Sequence, residues 1–528
     1  MVLSDLHSKN RANRISLLRI FFAVTLFIPP AIACQATHPE LQGDNRITYE
    51  KRIERFEKQV EELRRLLKIP GMSAVVVKDQ KVLWADGFGF ADLDKQIPAT
   101  PDTLYHVASL TKTFAATLIL QLVEQGKLDL NEPMSRYSED FKDDSVKIKH
   151  LLSHTSEGTP GDRYRYSGDR YAALTAVIEK KTGKSFREVI VQTFLEPLQM
   201  SGSVPSHDVA DDAKKWTPLL GKERLDRYST NLIQLAQPYS LYGDEVIQVP
   251  YPPRDVSASA GLLSTVVDMA RYDAAIDRHL FLKPETQAQA WTPFMSNSGQ
   301  PLPHGLGWFV ENYKGQKLIW HYGHWGTGFS ATYLKVPDQK LSLILLANSE
   351  ALSDPFYRDG GIETNAIACS FLRIFVFDLL QKRALSDPAW GRSDDEFSKD
   401  LARMSKEASG YGYDCERVSH AAIVKWLTGR KARVRKVIKQ NPEIYDAYVG
   451  EYELNPNRIF VVSREGDRLF IDVPRGSKTE MFPESKSKFF LKAPDAQIEF
   501  VMDKNGQVTA LEIRAYGQTL TPKRIKRN

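Results

Sequence analysis

A nearly unbroken apolar run, Phe114–Val123, follows directly on Ser109-Leu-Thr-Lys112. Phe114, Leu118, Ile119, Leu122 and Val123 recur at spacings of three to five, which reads as a buried helix, and Gly126 stands just beyond it as a C-cap. On a helix, Ser109 and Lys112 lie one turn apart on the same side, within side-chain reach. A serine hydroxyl is a poor nucleophile until a base takes its proton. A lysine serves as that base only when neutral, a state favoured by burial or by another cation nearby. Ser109 is therefore the candidate nucleophile and Lys112 the candidate base, a variant of the serine triad. The same spacing recurs at Ser485–Lys488, beside the strand-like Phe489-Phe490-Leu491. Spacing alone does not separate the two copies; a place at the mouth of a buried helix does.

Two further constellations follow in order. Tyr164-Arg-Tyr166-Ser-Gly168 sits in a loop before an amphipathic helix carrying Tyr171, Leu174, Val177 and Ile178 and ending at Gly183. A loop tyrosine such as Tyr166 reaches into a cleft and works as acid or base when cations hold its proton away. The plainer alternative is a packed ring donating one hydrogen bond. Trp320-His321-Tyr-Gly323 closes the strand-like run Lys317–His321. With Ser330–Val336 and Leu341–Ala347 it predicts an antiparallel sheet. A glycine at a strand edge lets backbone N–H groups approach a ligand, so the N–H of His324 could join that of Ser109 in an oxyanion hole. The bland alternative for His321 is a histidine satisfied within the sheet. His324-Trp-Gly326 fits the same pattern, but choosing His321 leaves room for a turn before Phe329. Ser257-Ala-Ser259-Ala-Gly261 is a degenerate nucleophile elbow. Val249-Pro-Tyr-Pro-Pro253 argues against the strand an elbow needs, so Gly261–Ala275 reads as a core helix with its preceding turn.

The 528 residues, with 42% hydrophobic and 26% charged, fit a soluble globular chain of several domains, and a net charge of +5 gives no reason to expect a nucleic-acid partner. Residues 1–34 read as a secretory signal: Lys9, Arg11, Arg14 and Arg19 precede the apolar Ile20–Ile28, and Ala31-Ile-Ala33 is a cleavage site. Cys34 directly after it also fits a lipoprotein processing box. Export to the periplasm or cell envelope is the expectation, with membrane attachment through a lipid on Cys34 or an uncleaved signal as the alternatives to simple cleavage. Cys369 and Cys415 could pair in an oxidising compartment. No metal-ligand spacing is present, since on a strand His321 and His324 point to opposite faces, so neither metal nor other cofactor is expected.

Residues 35–57 form a linker and the start of a charged amphipathic helix, Tyr49–Leu67. Residues 205–255, rich in proline, tyrosine and charge, read as loops and short helices over one side of the cleft. Residues 383–442 read as a helical connector. From 443 to 528 the period changes to two, with six short strands and turns at Arg464-Glu-Gly-Asp467 and Asp503-Lys-Asn-Gly506, which predicts a small barrel or curved meander.

Taken together, Ser109-x-x-Lys112, Tyr166-x-Gly168 and His321-x-Gly323 resemble the penicillin-recognising serine hydrolases: class C β-lactamases, D-alanyl-D-alanine peptidases and related esterases. Val107–Thr113, Leu151–Ser156, Ala260–Thr265 with Asp268, and Gly305-Leu-Gly-Trp308 look family-like as well. The resemblance covers residues 58–382. It implies an α/β (α+β) fold, an antiparallel sheet flanked by helices plus an all-helical subdomain, with the site between them. It also implies acylation of Ser109, activated by Lys112, with Tyr166 shuttling protons and His321 and Gly323 lining the opposite wall. The C-terminal strands resemble a β-rich domain often appended to this family. Two departures stand out. Gly168 replaces the family's asparagine, and His321 replaces the lysine of many β-lactamases, a weaker cation for a substrate carboxylate. The expected function is hydrolysis of a small ester, a D-amino-acid peptide or a β-lactam. The alternatives are a non-catalytic ligand- or peptidoglycan-binding protein on the same fold, and an envelope anchor whose working part is the C-terminal barrel.

Overall fold

The structure is a computed structural model and describes residues 48–211, 213–251, 255–326, 328–354, 361–377, 414–456, 458–473, 478–515 and 518–525. Residues 1–34, read from sequence as a secretory signal and including Cys34, lie outside the described residues.

Strand Gly71–Lys78 (β1) is buried on both sides from Met72 to Val77, apolar but for Ser73, and a strand of that kind persists only where both faces of its sheet are covered. Its alternating side chains do enter two different cores. Val75 and Val77 pack on one, and Met72, Ala74 and Val76 on the other. Around it lie Lys81–Asp92 (β2), Ile97–Pro98 (β3), Phe309–Tyr313 (β4), Gln316–Trp325 (β5), Phe329–Val336 (β6) and Leu341–Ala347 (β7). They form one antiparallel sheet in the order β3-β2-β1-β7-β6-β5-β4.

Two helices sit on opposite faces of this sheet. On one is Tyr49–Leu66 (α1), whose stripe of Phe56, Val60 and Leu63 is buried as its periodicity requires. Ala366–Phe371 (α2) joins it in the same core. On the other face is Thr111–Glu124 (α3), buried on almost every side together with Leu174–Thr182, Phe186–Ile190 and Val266–Asp277. The last of these begins at Val266, later than the Gly261 start read from sequence. Leu263–Ser264 instead pairs with Tyr105–His106, and Thr265 caps the helix by accepting from Asp268 N. Residues 205–255 carry, besides helices, a hairpin of Tyr239–Tyr242 and Glu245–Gln248.

The C-terminal region is a closed barrel. Gly450–Asn455 (β8), Arg458–Glu465 (β9), Arg468–Asp472 (β10), Lys478–Pro483 (β11), Lys488–Leu491 (β12), Ala496–Met502 (β13), Val508–Ala515 (β14) and Lys523–Ile525 (β16) form the ring, and Gln518–Leu520 (β15) pairs on β14. Pairing of β13 with β14 closes it, which removes the free edges a meander would leave. Ser485 and Lys488, the second Ser-x-x-Lys copy, belong to its β11–β12 turn, where Ser485 Oγ accepts from Lys488 N. Between hydrolase-like region and barrel runs helix Asp414–Ala432 (α4), which buries Ile423 and Trp426 on the α1–α2 core. A disulfide joins Cys369 of α2 to Cys415 of this helix, with Cα atoms 5.8 Å apart. No helix among the described residues is long and apolar enough to cross a membrane.

The Cys369–Cys415 bridge closes a loop 46 residues in separation. Chain-entropy reasoning puts its contribution at about 2–4 kcal/mol. The double variant Cys369→Ser/Cys415→Ser should lose that much in denaturant unfolding, and wild type in reductant should lose the same; an unchanged midpoint would remove the bridge from the stability account.

Candidate active site

The nucleophile turn is built from short-range strain and long-range stitching. Ser109 lies in a one-turn 3-10 helix, Ala108–Leu110, that leads into α3, rather than in the α-helix itself. Ala108 holds φ at +47°, an uncommon left-handed value for a residue with a Cβ. Thr111 Oγ1 donates to Ala108 O at 2.7 Å, and Val107 N donates to Leu262 O at 3.0 Å, so the turn is pinned from both sides.

Across this turn Lys112 Nζ donates to Ser109 Oγ at 2.9 Å and to the Ser259 carbonyl at 2.8 Å. Lys112 is buried and Ser109 is 8% exposed. Burial pulls the Lys112 pKa down to about 7, against an opposing pull from the Asp169 carboxylate. A large share of Lys112 is thus neutral at physiological pH. The Ser257–Gly261 segment contributes a carbonyl oxygen to this pair and no nucleophile.

Tyr166 is brought to the same point. Lys112 Nζ lies 5.1 Å from its ring centroid, and the ring stacks on His154 at 4.2 Å and on Tyr322 at 5.5 Å. His154, next in sequence to Ser153 of the Leu151–Ser156 stretch, also accepts from Ser167 N through Nδ1 at 3.2 Å and so helps place the tyrosine loop. Spacing alone marks neither it nor His304 as a site residue: His154 lies within the family-like Leu151–Ser156 stretch, and His304 directly precedes Gly305–Trp308. His321 lies 6.4 Å from Tyr166 between ring centroids and 6.0 Å from His304. All three histidines are fully buried. Desolvation first, then the charges of His304 and Lys112, holds His154 and His321 well below the ordinary histidine range, while desolvation and Lys112, against hydrogen bonds to the Gly305 and Leu152 backbone, bring His304 to about 3. The wall is neutral.

Gly323 shows why a side chain is missing from the strand edge. A Cβ there would stand 2.3 Å from Val107 O and 3.2 Å from Ala108 Cβ, so β5 could not approach the nucleophile turn. The His324 side chain, in keeping with strand alternation, leaves by the opposite face. Its Nδ1 lies 3.2 Å from Ser353 Oγ and its Nε2 lies 3.9 Å from Asp354 Oδ1. At Gly168, the first residue of the helix Gly168–Ala172 that follows Tyr166, a Cβ would meet no described atom within 4 Å.

A sheet covered on both faces, with a serine–lysine pair at the mouth of a buried helix and a glycine strand edge against it, is the architecture of the β-lactamase/transpeptidase-like serine hydrolases. The family model described as Beta-lactamase matches residues 56–363, and the chain belongs to that family. A second model, a domain of unknown function (DUF3471), matches residues 434–524. Penicillin-binding protein 4* of Bacillus subtilis is 23% identical over 467 residues, which cover 80% of this chain and 88% of that protein. Protein flp of Staphylococcus aureus is 25% identical over 331 residues, 53% of this chain, and the match spans 60% of flp's length. Among solved structures, the octameric penicillin-binding protein homologue from Pyrococcus abyssi shares the fold, with a TM-score of 0.50 and 20% identity over 89% of this chain and 99% of that one.

A lysine whose folded pKa lies below its unfolded value penalises folding most at low pH. The unfolded chain binds the extra proton between about 7 and 10.5, so stability rises with pH across that window. Lys112→Met removes the term. Its stability relative to wild type should fall by about 2–3 kcal/mol between pH 7 and pH 9.5 in paired denaturant melts. A pH-independent difference would mean that Lys112 is not held near neutrality.

Proposed function

We propose that this protein is an exported serine acyl hydrolase, with Ser109 as nucleophile, Lys112 as its base and Tyr166 as a proton carrier, acting by preference on small uncharged esters. The observation that carries this reading is the 2.9 Å contact between the buried Lys112 amine and the Ser109 hydroxyl, and burial that lowers the amine pKa to about 7 supports it. Ser109 Oγ attacks the ester carbonyl carbon as its proton passes to Lys112 Nζ. The oxyanion is received by the N–H groups of Ser109 and His324. The C–O bond then breaks, and the proton, relayed through Tyr166, leaves with the alcohol. Water attacks the acyl-Ser109 ester by the reverse route and releases the acid.

The preference for uncharged substrates follows from the wall opposite Ser109. His321 and His304 are buried and neutral, so they offer a substrate carboxylate no counter-charge, and Gly168 offers no amide to a peptide or β-lactam side chain. D-peptides and β-lactams remain substrates of lower rank. Gly168 also favours a second reading, a ligand-binding protein on the same fold that does not turn over. Export rests on the signal-like residues 1–34, and the Cys369–Cys415 disulfide supports an oxidising compartment.

Intact-mass spectrometry after a fluorophosphonate probe, and separately after a penicillin, tests the assignment. Wild type should gain one fluorophosphonyl group and Ser109→Ala none, while a folded wild-type sample that gains neither adduct moves the assignment to the binding protein. The same spectrum on material from cell fractions reads whether the chain begins at Cys34 and carries lipid.

The pH profile supplies an independent test, because Lys112 must be neutral to accept a proton. The value of kcat/KM for p-nitrophenyl acetate should be low in acid and rise with pH through about 7 to a plateau. A profile flat from pH 5 to 9 would be inconsistent with Lys112 as base.

A further inference from the structure

Helix α4 lies between the two family matches, and neither covers Trp426 or Arg430. Both side chains nevertheless converge on the segment behind the active-site strand. Trp426 Nε1 donates to Asp354 Oδ2 at 2.6 Å, and Arg430 Nη2 donates to the same oxygen at 2.8 Å. Arg430 also pairs with the buried Glu350 at 2.9 Å and donates to Leu241 O at 2.9 Å. The other oxygen of Asp354 faces His324 Nε2 at 3.9 Å, while Ser353 Oγ meets His324 Nδ1 at 3.2 Å. His324 directly follows Gly323, whose backbone presses on Val107 and Ala108 of the nucleophile turn.

Two carboxylates, a guanidinium, an indole N–H and an imidazole are thus joined in one network that ends on His324, the residue after Gly323. The partners are directional: the indole N–H and Arg430 Nη2 meet on the single oxygen Asp354 Oδ2, and the same Nη2 also meets Glu350, which leaves Asp354 little freedom to rotate. Glu350 is tied in turn to Ser240 Oγ at 2.8 Å and Leu241 N at 3.2 Å, so the network also holds the hairpin beside the strand. Helix α4 itself is fixed at its start by the Cys369–Cys415 bridge and by Cys415 N donating to Tyr313 OH at 3.2 Å.

We propose that α4 braces the site: Trp426 and Arg430 are positioning residues that hold Asp354, and through it His324, so that the strand edge keeps its place against the Ser109 turn. The inference rests on the acyl-hydrolase reading above for its kinetic consequence, and on the geometry alone for its structural one. A backbone donor serves an oxyanion only at hydrogen-bond distance, and a misplacement of about 1 Å costs on the order of 10²-fold. The ground-state ester makes little use of that donor, so the loss should fall on kcat and spare KM.

The test uses the full-length protein with Trp426→Phe, Arg430→Met and Arg430→Lys. Kinetics on p-nitrophenyl acetate are normalised to the amount of Ser109 titrated by a fluorophosphonate, so that a partly unfolded sample is not mistaken for a slow one. Trp426→Phe and Arg430→Met should lower kcat per titrated serine by about 10- to 100-fold with KM unchanged, and Arg430→Lys should recover part of the loss. Affinity for phenylboronic acid, whose tetrahedral adduct places an oxygen where the oxyanion forms, should fall in step with kcat. Hydrogen exchange of the peptide spanning residues 320–326 should quicken in the two disruptive variants, a readout that needs no catalysis. Unchanged kcat per serine together with unchanged exchange would overturn the brace, whatever happens to the melting temperature. If wild-type Ser109 takes no probe, the hydrolase reading has failed, and the exchange of residues 320–326 decides the brace by itself.

Discussion

A lysine amine taken out of water beside a serine hydroxyl is the constraint around which the rest of this fold is arranged. Burial is what brings Lys112 to about 7, and Asp169 opposes it only in part. That balance needs a helix surrounded on nearly every side. Tyr171 supplies one flank, its hydroxyl donating to Lys112 O at 3.1 Å. Tyr272 stacks on Phe114 at 3.8 Å on another, with Phe194 edge-on at 5.1 Å. Gly307 completes the enclosure, since a Cβ there would stand 2.2 Å from Ala116 Cβ and φ is +86°, so only glycine lets this segment lie against the helix. The packing that makes α3 a core helix is the same packing that brings its lysine toward neutrality. Stability and chemistry are drawn from one set of contacts.

Features carried by local pattern were legible in the sequence. The Ser109–Lys112 pair, the caps at Gly126 and Gly183, the α1 stripe and the β5–β6–β7 strands all have periods or spacings that a short window contains. Features made by distant partners were not. The hairpin Tyr239–Gln248 sits in a proline- and charge-rich stretch whose alternation is too short to register, and its place is set by Glu350, far along the chain. In the barrel, β11, β15 and β16 are short and rich in polar residues, yet β16 links β8 to β14, without which the β13–β14 pairing could not close the ring. A closed barrel could therefore not be told from a meander by period alone. The wall of neutral histidines was hidden for a similar reason. His154, His304 and His321 lie far apart in sequence, and a histidine's charge depends on burial that no window reports.

The C-terminal third reaches the Tyr239–Gln248 hairpin through ordinary packing. Arg435 N donates to Tyr242 OH at 2.8 Å, the Tyr242 ring stacks on Phe490 of the barrel at 6.1 Å, and Arg435 pairs with Asp495 at 2.6 Å. Tyr242 belongs to the hairpin that continues into Val249 and Tyr251. Tyr251 meets Phe329 at 5.1 Å and Trp325 at 6.4 Å, and Trp325 stands edge-on to His106 at 4.9 Å. One end of a single short hairpin is thus held by the barrel and α4, while the chain beyond it covers the aromatic residues next to the nucleophile turn. The barrel and helix α4 therefore meet on the same short hairpin that the buried Glu350 holds from the sheet side, so the contacts of domain and sheet converge on one element.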